Sequence, residues 1–431
     1  MNRKEVLRFI FWEWIEPIGT ALCIALLVMK LVMAIYVIPT GSMQPTLHGK
    51  GDYPHERGDK VLVNKFVYRF TEPKKWDVIV FKYPHKIIQC SKCERDIMQR
   101  IPQTEPEVIP EGLACATHGK KYLKFIEKDY IKRCVATEGD VVSVRDGNIL
   151  LKKDGEWTFS QKTDEAQAEL WRNVYSLENL SLETNPYFWR WGSISKGKWN
   201  EEEKTLNLSE EKQYHLVFAH QEHLQGYGDK GIYNDQLKLQ IERPIVGDTQ
   251  IAIEMKSFPA KGLLELKFQW NMIDFTAELN FAEKKCKIKQ AGELLKEIKL
   301  NASELRYAFS RLDGFLHFHH GIEGSIKVKI KNVNAEMPTH SIFPSVKYKG
   351  DALVLTDLDV NRDIYYDIGE SREFFSGQDL SYTVQPGECF AMGDNSYHSS
   401  DSRMWGPVPE DVLIGKALVV LWPLGRTKLI Y

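Results

Sequence analysis

The stretch Tyr36-Val37-Ile38-Pro39-Thr40-Gly41-Ser42-Met43-Gln44-Pro45-Thr46-Leu47 places one serine between a glycine and a methionine, just past an apolar run. Pro39 and Pro45 fix φ on either side of it. Gly41 lacks the side chain that would keep the backbone away from a bound partner. A hydroxyl held out in this way suits nucleophilic attack, and the same residues also fit an ordinary turn beside a membrane. A second constellation is Cys90-Ser91-Lys92-Cys93 followed by Cys115-Ala116-Thr117-His118. A Cys-x-x-Cys knuckle paired with a Cys-x-x-His knuckle offers the four ligands of a tetrahedral structural zinc site, with no position open to water. Disulfides are the alternative reading. The loop between the knuckles holds Pro102, Pro106, Pro110 and Gly112 and needs such a staple to be ordered.

Two further stretches give the serine segment its context. Tyr130-Ile131-Lys132-Arg133-Cys134-Val135-Ala136-Thr137-Glu138-Gly139-Asp140 lies downstream, and Gly393-Asp394-Asn395-Ser396-Tyr397-His398-Ser399-Ser400-Asp401-Ser402-Arg403 lies near the end. The three, in this order, resemble the serine, lysine and C-terminal boxes of bacterial type I signal peptidases, over roughly residues 10–150 and 380–425. The resemblance implies a Ser/Lys dyad: Ser42 attacks a scissile carbonyl, and Lys132 takes its proton and later activates water. It implies that the Ser399 hydroxyl orients the lysine amine, and that the Ser42 backbone N–H and the Thr40 hydroxyl hold the oxyanion. It implies shallow apolar pockets for small substrate side chains, formed by Ile38, Met43, Leu47 and Tyr130 with Tyr36 and Ile131, and an extended substrate bound by strand addition. Asp394 and Asp401 with Arg403 are expected to form a buried ion-pair network. No cofactor is expected for catalysis; the Cys/His cluster is expected to hold structural zinc.

The lysine carries a physical requirement. At a pKa of about 10.4 only about one lysine in 2500 is neutral at pH 7, whereas a pKa of about 8 makes that about one in ten. Burial among apolar groups achieves this by penalising the ammonium form. Strand alternation puts Lys132 on the face opposite Ile131. Lys124, Lys128 and Arg133 are the competing basic residues, and His398 is a competing base.

The elements that position these groups follow from pattern. Arg3, Lys4 and Arg8 precede an apolar run from Ile18 to Ile38, interrupted by Lys30, with Trp12 and Trp14 at its start. That length suits one membrane span with a cytoplasmic N-terminus. Residues 58–84 alternate as strands, and Asp146-Gly147 makes a hairpin turn within 141–150. Between roughly 165 and 340, Gln167–Tyr175 reads as a short helical or extended docking piece. Short alternating runs follow (Tyr214–Ala219, Thr249–Lys256, Leu263–Phe268, Thr276–Phe281, Cys286–Gln290, Phe315–His319, Ser325–Lys331) and predict an antiparallel β-sandwich. His317 and His319 share a strand face, and Tyr187-Phe188-Trp189-Arg190-Trp191 forms an aromatic cluster; each fits packing as well as binding.

The expected architecture is therefore mainly β. It has a cytoplasmic tip and anchor (1–35), a first core segment (36–164) carrying a zinc-ribbon-like insert (86–125), an inserted sandwich (165–340) and a second core segment (341–431). The 57 Lys+Arg against 59 Asp+Glu exclude a global nucleic-acid footprint. The expectation is a single-pass bacterial inner-membrane serine endopeptidase, its catalytic domain extracytoplasmic, releasing signal peptides from exported preproteins. Its partners are those preproteins and the bilayer, and the sandwich's partner is unnamed. The alternatives are an autoproteolytic repressor-like protein and a catalytically idle envelope-binding protein that uses the sandwich.

Overall fold

The computed structural model describes residues 12–13, 16, 18–22, 32–51, 57–102, 105–177, 191–193, 198–200, 202–208, 214–218, 245–321, 324–335, 337, 339–368, 374–375 and 380–431. Strands dominate them, as expected. The chain divides into two compact units, Met1–Val141 with Glu370–Tyr431, and Val142–Gly369.

The first unit is built on an antiparallel sheet in the order Met33–Val37, Lys60–Asn64, Leu413–Trp422, Val78–Lys82, Asp129–Thr137, Glu388–Met392, Val408–Pro409. The run Val78-Ile79-Val80-Phe81 is buried on both faces because apolar clusters cover both sides. Ile38, Met43, Leu47, Val61, Val63 and Ile131 fill one cluster. Ile79, Phe81, Tyr83, Cys134 and Trp405 fill the other. The strand Asp129–Thr137 is paired unevenly. Residues Asp129 to Arg133 pair with Val78–Lys82, while the opposite side gains a partner strand only from Arg133 onward, through Glu388–Met392. Among the described residues, the segment Asp129–Lys132 thus keeps one free strand edge, and Met33–Val37 lies at the border of the sheet. His85–Cys90, Asp96–Pro102 and Leu123–Ile126 form a separate three-stranded sheet around the Cys/His cluster.

The second unit is a two-sheet sandwich. One sheet runs Lys198–Asn200, Thr205–Leu208, Leu353–Arg362, Thr249–Met255, Arg306–Leu312, Phe315–His320, Gly324–Lys329; the other runs Trp191–Ser193, Tyr214–Phe218, Ile342–Gly350, Gly262–Trp270, Ile273–Asn280, Lys285–Gln290, Glu293–Lys299. Inward residues at period two form one core, with Trp270, Phe268, Phe309 and Tyr348 among them. Asp146-Gly147, Asp154-Gly155 and Asp313-Gly314 all take positive φ at both positions, the geometry that matches strand twist in two-residue hairpins. The segment expected at 167–175 resolves into a helix, Asp164–Leu170, capped by the Thr163 side chain, and then the strand Arg172–Ser176. The sandwich also extends past the boundary expected at 340. Ile342–Gly350 and Leu353–Arg362 are central strands, one in each sheet, so the unit closes only after them.

No helix of the described residues is long and apolar enough to cross a membrane. Residues 23–31 of the expected span, Lys30 among them, and most of the aromatic cluster at 187–191 lie outside the described residues, while Met33–Val37, expected at the outer end of the span, is a strand of the sheet instead. His317 is buried, and burial pushes its imidazole well below the usual range, to about 3, so it is a neutral packing residue.

Within the sandwich unit a charge cluster is fully buried. Lys162 Nζ lies 3.1 Å from Asp313 Oδ1 and 2.9 Å from Asp363 Oδ2, and Arg311 Nη1 lies 2.7 Å from Asp248 Oδ1. The ammonium already sits where a cation would be held by these aspartates. Replacing it strands two buried carboxylates, so Lys162→Met is expected to destabilise the unit by about 3–5 kcal/mol. Denaturant unfolding of the full chain checks this; an unchanged midpoint would show that the cluster is not structural.

Candidate active site

Ser42 lies in a single 3-10 turn, Gly41–Met43, directly after the border strand. The turn is pinned from several sides. Ile38 N–H donates to the Asp59 carbonyl at 2.9 Å, and Asp59 Oδ2 accepts from His48 N–H at 2.8 Å while pairing with Arg426 at 2.9 Å. A side chain on Gly49 would overlap the Thr40 backbone, so this loop closes tightly on itself. The C-terminal box grips it from the other side: Asn395 N–H donates to the Ser42 carbonyl at 3.0 Å, and Asn395 Nδ2 to the Gly41 carbonyl at 3.1 Å.

Lys132 reaches the serine from the strand Asp129–Thr137. Its Nζ donates to Ser42 Oγ at 2.7 Å, with Ser42 only 7% and Lys132 only 4% exposed. The sheet dictates this meeting, because Lys132 pairs with Ile79 in the middle of the buried run. Burial is the largest influence on the amine and lowers its pKa. Asp401 and Asp394 pull it back up, Arg403 pushes it down, and the balance is about 8. The Tyr130 ring lies 5.6 Å from Nζ. A hydroxyl paired with an amine that is partly neutral near pH 7 is a nucleophile with its base in place.

The other expected residues fall out as follows. Thr40 is exposed, and its hydroxyl lies 3.5 Å from Ser42 Oγ. Ser399 is buried beside Gly393, and its hydroxyl helps to hold the Asp401 carboxyl in its charged form; the expected bond to the lysine amine is not formed here. Ile38, Met43 and Leu47 are at most 2% exposed and pack with Ile131, with Tyr36 against them; they form a floor below the surface rather than an open wall. Tyr130 belongs to the opposite cluster, stacked on Tyr83 with ring centroids 4.7 Å apart.

The ion-pair network differs from expectation. Asp401 does pair with Arg403, at 2.6 Å, and also accepts from Gly393 N–H at 3.0 Å. Burial alone would raise the Asp401 carboxyl, but Arg403 and that N–H hold it below the usual range. Asp394 instead pairs with Arg133, Nε to Oδ1 at 2.9 Å and Nη2 to Oδ2 at 2.9 Å. Arg133 is fully buried and also donates to Thr46 Oγ1 at 3.1 Å, and Thr46 in turn donates to Asp394. Arg133 had counted only as a competitor of Lys132, and Thr46, Gly393 and Asn395 carried no assignment. Strand alternation offered the missed signal: with Lys132 on one face, Arg133 must face the other interior and needs a carboxylate there.

The four ligating atoms of Cys90, Cys93, Cys115 and His118 lie within 4.8 Å of one another, and the three cysteines are unbridged. Cys93 Sγ lies 3.7 Å from Cys115 Sγ, Cys90 Sγ 3.5 Å from His118 Nδ1, and Cys115 Sγ 3.7 Å from His118 Nδ1. Metal–sulfur bonds of about 2.3 Å put the corners of a tetrahedron about 3.8 Å apart. These three separations match the corners of one tetrahedral ion, and the donor set fits such an ion.

The sequence matches the family described as "Signal peptidase, peptidase S26" over residues 11–199 and 344–422. It is 30% identical over 138 residues to a probable signal peptidase I of Mycobacterium leprae, covering 32% of this chain and 44% of that one. It is 44% identical over 59 residues to signal peptidase I of Aquifex aeolicus, covering 14% of this chain and 20% of that one. The chain thus spans under half the length of these curated relatives. A Bacillus subtilis protein of unknown function with a galectin-like fold aligns over 45% of this chain and 99% of its own, at 10% identity and a TM-score of 0.30.

A Cβ at Gly393 would overlap both Ser399 Oγ and the Ser42 carbonyl oxygen. Gly393→Ala is therefore expected to displace the serine turn. The rate at which a serine-directed acylating reagent modifies Ser42 should fall at least about tenfold in a folded protein, about 1.4 kcal/mol in barrier. An unchanged rate would show that the close approach does not position the serine.

Proposed function

Because this chain belongs to the signal peptidase family, peptidase S26, we propose that it is a membrane-anchored serine endopeptidase that removes N-terminal signal peptides from exported preproteins with a Ser42/Lys132 dyad. The observation that carries the reading is the 2.7 Å contact of Lys132 Nζ with Ser42 Oγ in a buried setting that lowers the amine to about pKa 8. Neutral Lys132 takes the Ser42 proton as Oγ attacks the scissile carbonyl. An acyl-enzyme forms, the protonated amine gives its proton to the leaving amine, and the same lysine then activates the water that releases the acyl group. The Ser42 backbone N–H and the Thr40 hydroxyl are the oxyanion donors; Thr40 already stands 3.5 Å from Ser42 Oγ.

The substrate backbone adds to the free edge beside Asp129–Lys132 and to the border strand Met33–Val37. Small side chains are selected because the floor of Ile38, Met43, Leu47 and Ile131 is filled to within 9% exposure or less, leaving only shallow depressions. Ser399 acts through the position of Gly393, and the resemblance to the family implies that its hydroxyl orients the lysine amine. The apolar run that begins at Ile18 is the single-pass anchor up to the strand Met33–Val37, with its basic flank cytoplasmic and the catalytic unit outside. The interruption of the family match between 199 and 344 supports reading the sandwich as an insertion with a docking or spacing role. Cys90, Cys93, Cys115 and His118 hold one structural zinc ion, which orders the strands leading into the lysine strand. An idle scaffold would have no use for a buried lysine with a lowered pKa, which counts against a purely envelope-binding role.

The test is cleavage of a preprotein ending its signal in Ala-x-Ala, with the full chain in detergent. Ser42→Ala and Lys132→Ala should each fall to background while remaining folded; a lysine variant as active as its parent removes the dyad. Since the neutral amine is the active form, kcat/KM should climb with rising pH and reach half its plateau near pH 8. A profile already flat from pH 6 upward would contradict this. Elemental analysis should give one zinc per chain, lost in Cys93→Ser; a metal-free chain with its thiols oxidised would favour disulfides.

A further inference from the structure

Arg133 makes a full set of hydrogen bonds, and two of its partners lie outside every sequence box. A guanidinium carries five N–H donors. Nε and one Nη2 hydrogen serve Asp394 at 2.9 Å each, and the second Nη2 hydrogen serves Thr46 Oγ1 at 3.1 Å. Nη1 donates to two backbone carbonyls, Trp76 and Tyr431, at 2.8 Å each. Tyr431 lies well past the last of these boxes. Its predecessor, Ile430, is 4% exposed, packs in the cluster of Ile38, Met43, Leu47 and Ile131, and donates its N–H to the Leu418 carbonyl at 2.8 Å.

We propose that the Tyr431 carbonyl, held in place by Ile430, is a positioning element for the Ser42–Lys132 pair and acts through Arg133. The guanidinium cannot lose its charge and is planar, so its donors move together. With the Tyr431 carbonyl gone, a buried N–H is left without a partner, and the fork tilts to recover one. Asp394 and Thr46 then shift, because both are bonded to that fork. Thr46 belongs to the serine segment, and Asp394 stands between Gly393 and Asn395, whose contacts fix the Ser42 carbonyl. The displacement thus reaches the serine from both sides. It also reaches the amine. Lys132 is faced by Asp394, Asp401 and Arg403 together with the Tyr130 ring, and an Asp394 less neutralised by Arg133 favours the ammonium.

The inference rests on Ser42 and Lys132 being the reacting pair, and the experiment separates the two. The full chain in detergent is compared with a chain ending at Leu429, with Ile430→Gly, and with Leu429→Ala as a control, since Leu429 is 56% exposed. Two readouts are taken: kcat and KM against pH on a preprotein with an Ala-x-Ala signal, and the pH dependence of Lys132 modification by an amine reagent, read by mass spectrometry. The shortened chain is expected to lose kcat by about tenfold or more with KM within threefold. Its Lys132 titration should move up by about half a unit, which is about a threefold change in neutral amine. Ile430→Gly should move both in the same direction by less, and Leu429→Ala should match the parent. A shortened chain within twofold of the parent in kcat and in Lys132 titration overturns the proposal. If the shortened chain does not fold, an Ile430→Gly indistinguishable from the parent overturns it. If the parent itself cleaves nothing, the peptidase reading fails, while the labelling result still decides the role of Tyr431.

Discussion

The desolvation of one ammonium group is the constraint on which the proposed catalytic unit depends. Lys132 is placed where its charged form is disfavoured, next to a hydroxyl it can deprotonate. Moving a lysine from about 10.5 to about 8 corresponds to about 3 kcal/mol of differential interaction between its two protonation states. That energy comes from the sheet, which keeps the strand bearing Lys132 in a buried register against Val78–Lys82. The surrounding charges modulate it, and they are arranged in two nearly self-contained pairs, Asp401 with Arg403 and Asp394 with Arg133. Each carboxylate is matched by its own guanidinium, so neither is fully available to stabilise the ammonium.

This arrangement explains why the site residues come from three distant stretches. A turn, a strand and a terminal loop each contribute one requirement: a hydroxyl, an amine and a rigid brace. Arg133 joins them by binding the serine segment at Thr46 and the brace at Asp394. Gly393 and Asn395 complete the junction through the Ser42 carbonyl. The two residues adjacent in sequence, Lys132 and Arg133, therefore play opposite electrostatic parts on opposite faces of one strand. One is buried away from compensation and becomes neutral near pH 8; the other is buried with a full complement of partners and stays charged.

Much of this was legible in the sequence, and the failures have physical causes. Ser42 and Lys132 stand in local patterns whose residue types have few other uses together, so their pairing could be expected before any coordinates. The Cys/His knuckles were legible for the same reason, since ligand spacing is a local property. The partner of Asp394 was not. Ion-pair choice depends on which face of a strand looks into which interior, and the C-terminal box offered a nearer arginine, Arg403, that was already committed to Asp401. The end of the sandwich was misjudged for a related reason. Ile342–Gly350 and Leu353–Arg362 alternate like any strand, and only long-range pairing with Gly262–Trp270 and Thr249–Met255 assigns them to that unit. The role of Tyr431 rests on a backbone carbonyl, which leaves no trace in residue type.

The central claim is that burial lowers Lys132 far enough for its neutral form to act as a base near pH 8. Its most direct test is titration of the Lys132 side chain by NMR in selectively labelled full-length protein, assigned by comparison with Lys132→Ala. The account predicts a midpoint near 8, well separated from the exposed lysines. A midpoint near about 10.4, the value of a lysine in water, would show that the ammonium is not destabilised at this site and would contradict the dyad.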